Sequence, residues 1–351
     1  MELFDMRSAS YEEIAGFIEK IGEKPYRAEQ IFNWLNAKFA NSFDEMTNLP
    51  INLRKSLGQI AEISLAEVVD KKTSKDGQTI KYLLKLNKTG IMEGGDVYIE
   101  SVLMRHKWGF SICISSQAGC RMGCDFCASG ISGLVRNLTA GEMAAQYSII
   151  SRDIGANIGN IVIMGIGEPL DNFDNLLKFL TIINDDKGAA VGFRRIGIST
   201  CGIVPRIYEL ASHNLQLTLA VSLHAPNDQI RRQIMPIARK YGINELLAAC
   251  RAYEGSGRRV TFEYIMLKGI NDSIGCAKEL AGLLIGLKCH VNLIPANKIP
   301  KKGYTRARPF VVSQFADILT KSGLNVSIRK EMGGDISAAC GQLRNEHENL
   351  F

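Results

Sequence analysis

Along the first sixty residues apolar positions recur at helical spacing. Ser10 precedes a run in which Ile14, Phe17 and Ile18 fall on one face, the pattern of a capped amphipathic helix. A second helix is predicted over Tyr26 to Phe39, with Ile31, Phe32, Trp34 and Leu35 inward and Lys24, Arg27 and Lys38 around its edges. Asn48-Leu49-Pro50 breaks the pattern, and a short helix follows near Leu53 to Ile60. Between Ile63 and Met104 the period changes. Thr79 to Leu86 and Asp96 to Leu103 read as strands, the first preceded by the turn pair Asp76-Gly77 and the two separated by Gly94-Gly95, which predicts a small antiparallel sheet.

From Phe110 onward short apolar runs alternate with helical stretches. Strands are predicted at Ser111–Ser115, Asn160–Met164, Arg195–Ser199, Leu217–Ser222, Val260–Ile265 and His290–Ile294. Helices are predicted after each, at Thr139–Arg152, Asn172–Ile183, Val204–Ala211, Ile243–Tyr253, Ser273–Leu287 and Val311–Ser322; Thr139-x-x-Glu142 is a capping box. A last run, Leu324 to Ile328, can add a strand. Six βα units place the chain in the α/β class, as an open doubly wound sheet or an incomplete (βα)6 barrel. The expected organisation is a helical accessory module over 1–62, a β-rich bridging segment over 63–104 and the main domain over 105–351.

Composition narrows this picture without redrawing it. Hydrophobic residues make up 46% of 351, enough for a sizeable core, and no apolar run approaches the roughly eighteen residues of a membrane span. The N-terminus lacks the basic start and apolar core of a signal peptide, so a soluble cytoplasmic protein is expected. Nine irregularly spaced cysteines do not form a secreted disulfide framework; metal ligands, catalytic thiols or core residues are the alternatives. A net charge of +6 permits a nucleic-acid partner without demonstrating one.

Candidate chemistry gathers where a parallel sheet places it, just past the strand ends. After the first strand lies Cys120-Arg121-Met122-Gly123-Cys124-Asp125-Phe126-Cys127, a Cys-x3-Cys-x2-Cys loop. Three soft thiolates suit a four-iron cluster with one iron left open to a small molecule. A zinc tetrahedron would need a fourth ligand, and three buried thiols remain the bland alternative. Past the later strands come Gly165-Ile166-Gly167-Glu168-Pro169-Leu170, Thr200-Cys201-Gly202, Leu223-His224-Ala225 and Pro295-Ala296-Asn297. Lys298, Lys301, Lys302, Arg306 and Arg308 surround Tyr304 in a loop past the sixth strand, where RNA phosphates can be contacted.

The cysteine loop, with Gly165-Ile166-Gly167-Glu168-Pro169 after it, resembles the radical S-adenosylmethionine (SAM) superfamily. Cys113-Ile114-Ser115-Ser116-Gln117-Ala118-Gly119-Cys120, Ser222-Leu223-His224-Ala225-Pro226 and Gly334-Asp335-Ile336-Ser337-Ala338-Ala339-Cys340-Gly341-Gln342-Leu343 narrow the resemblance to the RlmN/Cfr family of RNA adenine methyltransferases. It extends to Lys24-Pro25-Tyr26-Arg27 and Ser42-Phe43-Asp44-Glu45-Met46, so nearly the whole chain is covered.

The resemblance implies a radical SAM barrel with one 4Fe-4S cluster on Cys120, Cys124 and Cys127, and two SAM molecules consumed per turnover. It implies that Cys340 carries a methyl group, Cys113 resolves a covalent RNA intermediate through a transient disulfide, and Glu100 acts as acid/base. Gly167, Glu168, Ser199, Ser222, Leu223, His224 and Asn297 match positions that hold SAM. The implied substrate is an adenine C2 in 23S rRNA, with tRNA beside the anticodon as a further target in some members. The implied reductant is a flavodoxin or ferredoxin, and a monomer is expected. Pro169 and Asn292-Leu293-Ile294-Pro295-Ala296-Asn297 look more like the RlmN branch than the Cfr branch, which methylates C8. A zinc-stabilised RNA-binding module without catalysis is the reading from another class.

Overall fold

The computed structural model describes residues 3–86, 97–131, 133–255, 258–296, 304–329, 332 and 334–336. Its spine is a ten-stranded sheet: β1 (Ala66–Thr73), β2 (Thr79–Leu86), β3 (Val97–His106), β4 (Gly109–Cys113), β5 (Asn160–Ile163), β6 (Ile196–Thr200), β7 (Thr218–Ser222), β8 (Val260–Met266), β9 (Cys289–Pro295) and β10 (Asn325–Ile328). Neighbours in space are neighbours in sequence throughout. The pairings from β1 to β4 are antiparallel and those from β4 to β10 parallel, so the three extra strands continue the barrel sheet. Six βα units and a closing strand make the incomplete barrel, one of the two arrangements that the apolar pattern leaves open and the one that the resemblance implies. Strand β1, which that pattern leaves out, alternates half-buried and exposed positions and carries Glu67, Asp70, Lys71 and Lys72, so its apolar signal is weak.

Among the described residues, ten α-helices cover this sheet and its N-terminal flank: α1 (Tyr11–Lys20), α2 (Tyr26–Asn36), α3 (Ile51–Ile60), α4 (Ala140–Ile154), α5 (Phe173–Asn184), α6 (Val204–Ser212), α7 (Asp228–Ile234), α8 (Ile243–Glu254), α9 (Ile274–Leu284) and α10 (Pro309–Lys321). The Thr139–Glu142 capping box forms as read, and the Ser10 cap is one as well, with Glu13. The second helix stops at Asn36 and not at Phe39, which turns into the left-handed region at φ 58. Helix α9 ends at Leu284, ahead of Gly286 at φ 80. Among the described residues no helix is long and apolar enough to cross a membrane.

Strand period 2 separates two faces. Ile112, Ile161, Ile163, Ile196, Ile198, Leu219, Val221, Phe262, Tyr264, Val291 and Leu293 are buried on one, packed with α4–α10 in a single core. The opposite face is read from the register: Cys113 sits beside Val162, Ser199 beside Ala220, Ser222 beside Glu263, and Asn292 between Glu263 and Ser327. Small and polar side chains thus line the concave side, leaving room for a polar ligand where a filled barrel would carry branched apolar ones. Asn292 Nδ2 donates to Glu263 Oε2 at 2.9 Å and Ser327 Oγ donates to Asn292 Oδ1 at 3.0 Å, which satisfies these groups in place.

The N-terminal helices share the same core through Ile14, Ile18, Phe32, Leu35 and Leu57. Ser8 Oγ accepts the Gly141 N–H at 2.9 Å at the start of α4, and buried Arg7 donates to the Ser64 carbonyl at 2.8 Å. Ion pairs Arg152–Glu45 at 2.9 Å and Lys178–Glu13 at 2.8 Å complete the seam against α4 and α5.

Candidate active site

The cysteine loop leaves a short ladder, Gln117–Gly119 against Leu134–Asn137, and is pinned from three sides. The Cys120 N–H donates to the Gly133 carbonyl at 2.9 Å, the Asp125 N–H to the Ile234 carbonyl at 2.9 Å, and Tyr304 Oη to Asp125 Oδ2 at 2.7 Å. Gly119 holds φ 74, and a Cβ there would collide with the Gly133 carbonyl, so only glycine permits this approach. Met122, Cys124 and Phe126 pack on Ile234, Met235, Leu267 and Ala296, an apolar shelf separate from the main core. Tyr304 therefore does more than punctuate a basic loop: it ties that loop to the cysteines. Lys298, Lys301 and Lys302 lie outside the described residues; Arg306 bridges to Leu267 past β8.

The three thiols are electrostatic neighbours of one another, and burial pushes Cys120 up to about 12 and Cys124 higher still. Such thiols surrender their protons to a strongly cationic partner and not to water. Three soft donors on one short loop, with no fourth, fit a 4Fe-4S cluster with one open iron. Among the described residues no three His, Cys, Asp or Glu side chains converge as a single-ion site does.

The glycine-rich stretch packs directly on the segment leading into this loop. Gly167 holds φ 111, and a Cβ there would stand 2.6 Å from Gln117 Cβ. Its freedom serves the approach of two protein segments. The Glu168 N–H donates to Gln117 Oε1 at 2.8 Å, while its buried carboxylate accepts the Cys201 N–H at 2.7 Å and the Leu170 N–H at 3.1 Å. Burial raises its pKa against these hydrogen bonds. Glu168 also lies in the electrostatic range of Cys120 and Cys124, so the stretch and the loop form one site.

Ser199 and Ser222 project from β6 and β7 on the concave face, and Leu223 is buried beside them. His224 is a non-glycine residue at φ 59, held there by Asn271, whose Nδ2 donates to the His224 carbonyl at 2.8 Å. Its Nδ1 accepts the Ile265 N–H at 3.0 Å, which leaves the proton on Nε2. Burial, followed by the nearby Arg231 charge, lowers its pKa to about 3, so the ring is neutral. It meets Phe126 of the cysteine loop edge-on, with ring centroids 4.6 Å apart. Asn297 and Cys340 lie outside the described residues.

Cys113 ends β4, and Glu100 sits diagonally across the same sheet face on β3, since Val102 is the register partner of Cys113. Glu100, Val102, Cys113, Gly165 and Ile166 line one small pocket. Burial pushes the Cys113 thiol up to about 11, opposed by the Arg329 charge and an N–H from Met164. By position alone Glu100 reads as an edge-strand charge. In the fold it is buried in mid-sheet and pairs with fully buried Lys81 at 3.3 Å. Removing one partner of a buried pair takes away its attraction while the other group stays desolvated. Lys81→Met should therefore destabilise the protein by about 3–5 kcal/mol, and Lys81→Met/Glu100→Met by less than Lys81→Met alone. Urea unfolding of the three proteins checks this, and a Lys81→Met variant as stable as the parent would refute it.

Two contributors escape sequence reasoning. Cys201, seen from the chain only within Thr200-Cys201-Gly202 and matched to no ligand role, supplies the Glu168 contact and neighbours Cys124. Arg231 on α7, a helix absent from the predicted elements, is fully buried and donates to the Cys201 carbonyl at 2.8 Å and the Leu223 carbonyl at 3.2 Å. It ties the ends of β6 and β7 together beneath the site. An arginine after an N-cap asparagine is ordinarily a solvated helix charge, so no local signal marks it.

Comparisons with known proteins agree with this geometry. The radical SAM superfamily profile matches residues 114–275, and a profile described as the ribosomal RNA large subunit methyltransferase N-terminal domain matches residues 1–63. A probable dual-specificity RNA methyltransferase RlmN from Desulforamulus reducens is 51% identical over 346 residues, covering 98% of this chain and 97% of its own. Its counterpart from Lachnospira eligens is 48% identical over 344 residues, covering 98% and 96%. The crystal structure of a radical SAM methyltransferase from Sphaerobacter thermophilus superposes with a TM-score of 0.91 at 43% identity, covering 97% of this chain and 98% of that one.

Proposed function

The chain belongs to the RlmN family of radical SAM RNA methyltransferases, and on that premise we propose that it methylates carbon 2 of an adenine in the peptidyl-transferase region of 23S rRNA and of the adenine beside the tRNA anticodon. Family membership displaces the zinc-stabilised, non-catalytic reading. The observation that carries the finer proposal is the shared pocket of Cys113 and Glu100 beside Gly165 and Ile166. A second thiol and a carboxylate next to the SAM stretch are not needed to make a radical; they are needed to finish a covalent methyl transfer.

Carbon 2 of adenine is electron-poor and does not displace a methyl group from SAM by polar attack. When bound, the cluster and SAM supply reductive cleavage to a 5'-deoxyadenosyl radical. Cys120, Cys124 and Cys127 hold the cluster. Glu168, Ser199, Ser222, Leu223, His224 and Asn297 orient SAM, with Gly167 setting the close packing beneath it. Cys340 carries the methyl carbon to the base, Glu100 takes the proton from carbon 2, and Cys113 releases the product by forming a disulfide with Cys340. Two SAM molecules are consumed per turnover, one to load Cys340 and one to start the radical step. The apolar shelf around Met122 and Phe126 keeps water from the cluster side. We place the enzyme in the cytoplasm as a monomer served by a flavodoxin or ferredoxin.

Digestion of rRNA and tRNA from cells with and without this gene, followed by nucleoside mass spectrometry, should show 2-methyladenosine lost from both RNAs. An 8-methyladenosine difference would assign the chain the Cfr-type reaction instead.

A further inference from the structure

The end of the barrel away from the cysteine loop carries a pocket that the methyl-transfer chemistry does not use. It encloses about 370 Å³ between Trp108, Gly109, Phe110, Asn157, Asn160 and Arg195, at the N-terminal ends of β4, β5 and β6. Trp108 stands at the tip of the two-residue turn joining β3 to β4 and is 63% exposed. This ring is also held still. It stacks on His106 with centroids 4.3 Å apart and planes 6° from parallel, and His106 Nε2 is 2.8 Å from Ser111 Oγ. One indole face is thus backed by a fixed imidazole, and the turn presents a rigid aromatic platform.

The surroundings of that platform are cationic and amide-rich. Arg195, Asn157 and Asn160 line the same pocket as Trp108, and no acidic residue does so among the described residues. Arg105, Lys107 and Arg194 are exposed on the flanking segments. A flat π surface beside a guanidinium and two carboxamides suits a ligand with an aromatic ring, hydrogen-bonding edges and a negative charge close to it. An unpaired nucleotide has all three. The volume lies at the lower end of small-ligand pockets, in keeping with one nucleotide and not a helix.

We propose that this pocket is a second RNA-docking site, in which an unpaired nucleotide of the substrate RNA stacks on Trp108 with its phosphate on Arg195. It rests on the chain being an RNA methyltransferase and not on which adenine carbon is modified. Gly109 of the pocket and Cys113 lie four residues apart along β4, about 13 Å at the rise of a strand, so a folded RNA can engage both ends while a short oligonucleotide engages only the mouth.

The sequence contains two tryptophans, Trp34 and Trp108, so in a Trp34→Phe background Trp108 is the sole reporter. Titrating the cluster-loaded Trp34→Phe protein with transfer RNA should quench its fluorescence saturably. Trp108→Ala and Arg195→Glu should each weaken transfer-RNA binding about tenfold, raise KM by a similar factor at unchanged kcat, and leave a short target-loop oligonucleotide unaffected. Unquenched fluorescence with bound RNA, or unchanged affinity in both variants, would overturn the site. Quenching by inorganic phosphate or adenosine monophosphate but not by RNA would reassign it to a small metabolite. Loss of 2-methyladenosine activity with quenching intact would fail the functional reading and leave this one standing.

Discussion

Alanine at any one of Cys120, Cys124 or Cys127 should leave a folded, colourless protein that retains no stoichiometric iron or labile sulfide and no detectable methyl transfer. The fold does not depend on the thiols themselves. The loop is fixed by the backbone bonds of Cys120 to Gly133 and of Asp125 to Ile234, by the Tyr304 hydroxyl on Asp125, and by the packing of Met122 and Phe126. Two remaining thiolates cannot hold a four-iron cube against loss, because the cysteine loop supplies three soft ligands and no more. Cys250→Ala is the matched control: that thiol is fully buried in the main core and its loss removes volume, not a ligand. Iron and sulfide analysis of anaerobically purified proteins, with circular dichroism for the fold, separates the two outcomes. A Cys124→Ala protein with its full iron and sulfide content would refute the ligand set.

The elements that can be foreseen from the chain are those whose signal is local. The short apolar runs at β5 to β9, the Ser10 cap, the Thr139 capping box and the glycine turns each report on neighbours within a few residues, and they place the cysteine loop and the glycine-rich stretch at adjacent strand ends. What sequence reasoning misses is settled by distant partners. Lys81 on β2 is an ordinary charge in an alternating strand until register sets it near Glu100. Arg231 has no periodic signature, and its three carbonyl-rich neighbours come from β6, β7 and the segment at Tyr241. The glycines after β5 are visible, but their use is not. The resemblance implies a place at SAM, whereas Gly167 makes room for Gln117. Likewise a weak strand such as β1 is fixed by seven residue pairs with β2 and not by its own pattern.

Cys113→Ala should convert the enzyme into one that reacts once and stays attached to its RNA. In the proposed sequence the transferred carbon is bonded both to the adenine and to the sulfur of Cys340. The Cys113 thiol attacks that sulfur, an S–S bond forms, the S–C bond breaks with its electrons passing to the methyl group, and the thiol proton is released for transfer. Without Cys113 the first half still runs, because the cysteine loop, Glu168 and the concave-face serines are untouched, but the S–C bond has no partner to displace it. The position suits this role: the thiol lies at the very end of β4, half-buried, lining the pocket it shares with Glu100. Burial pushes its pKa up to about 11, so the thiolate fraction rises with pH from neutrality toward that value. Release in the parent should therefore speed up between pH 7 and 9, while formation of the RNA adduct by Cys113→Ala lacks that thiol's pH dependence. A denaturing gel should show the variant shifted by the mass of RNA, in an amount near one per protein, and peptide mass spectrometry should place the link at Cys340. Cys113→Ala/Cys340→Ala should show no adduct at all. Multiple turnovers by Cys113→Ala would remove Cys113 from the release step, and an adduct that persists in the double variant would move the attachment to another residue.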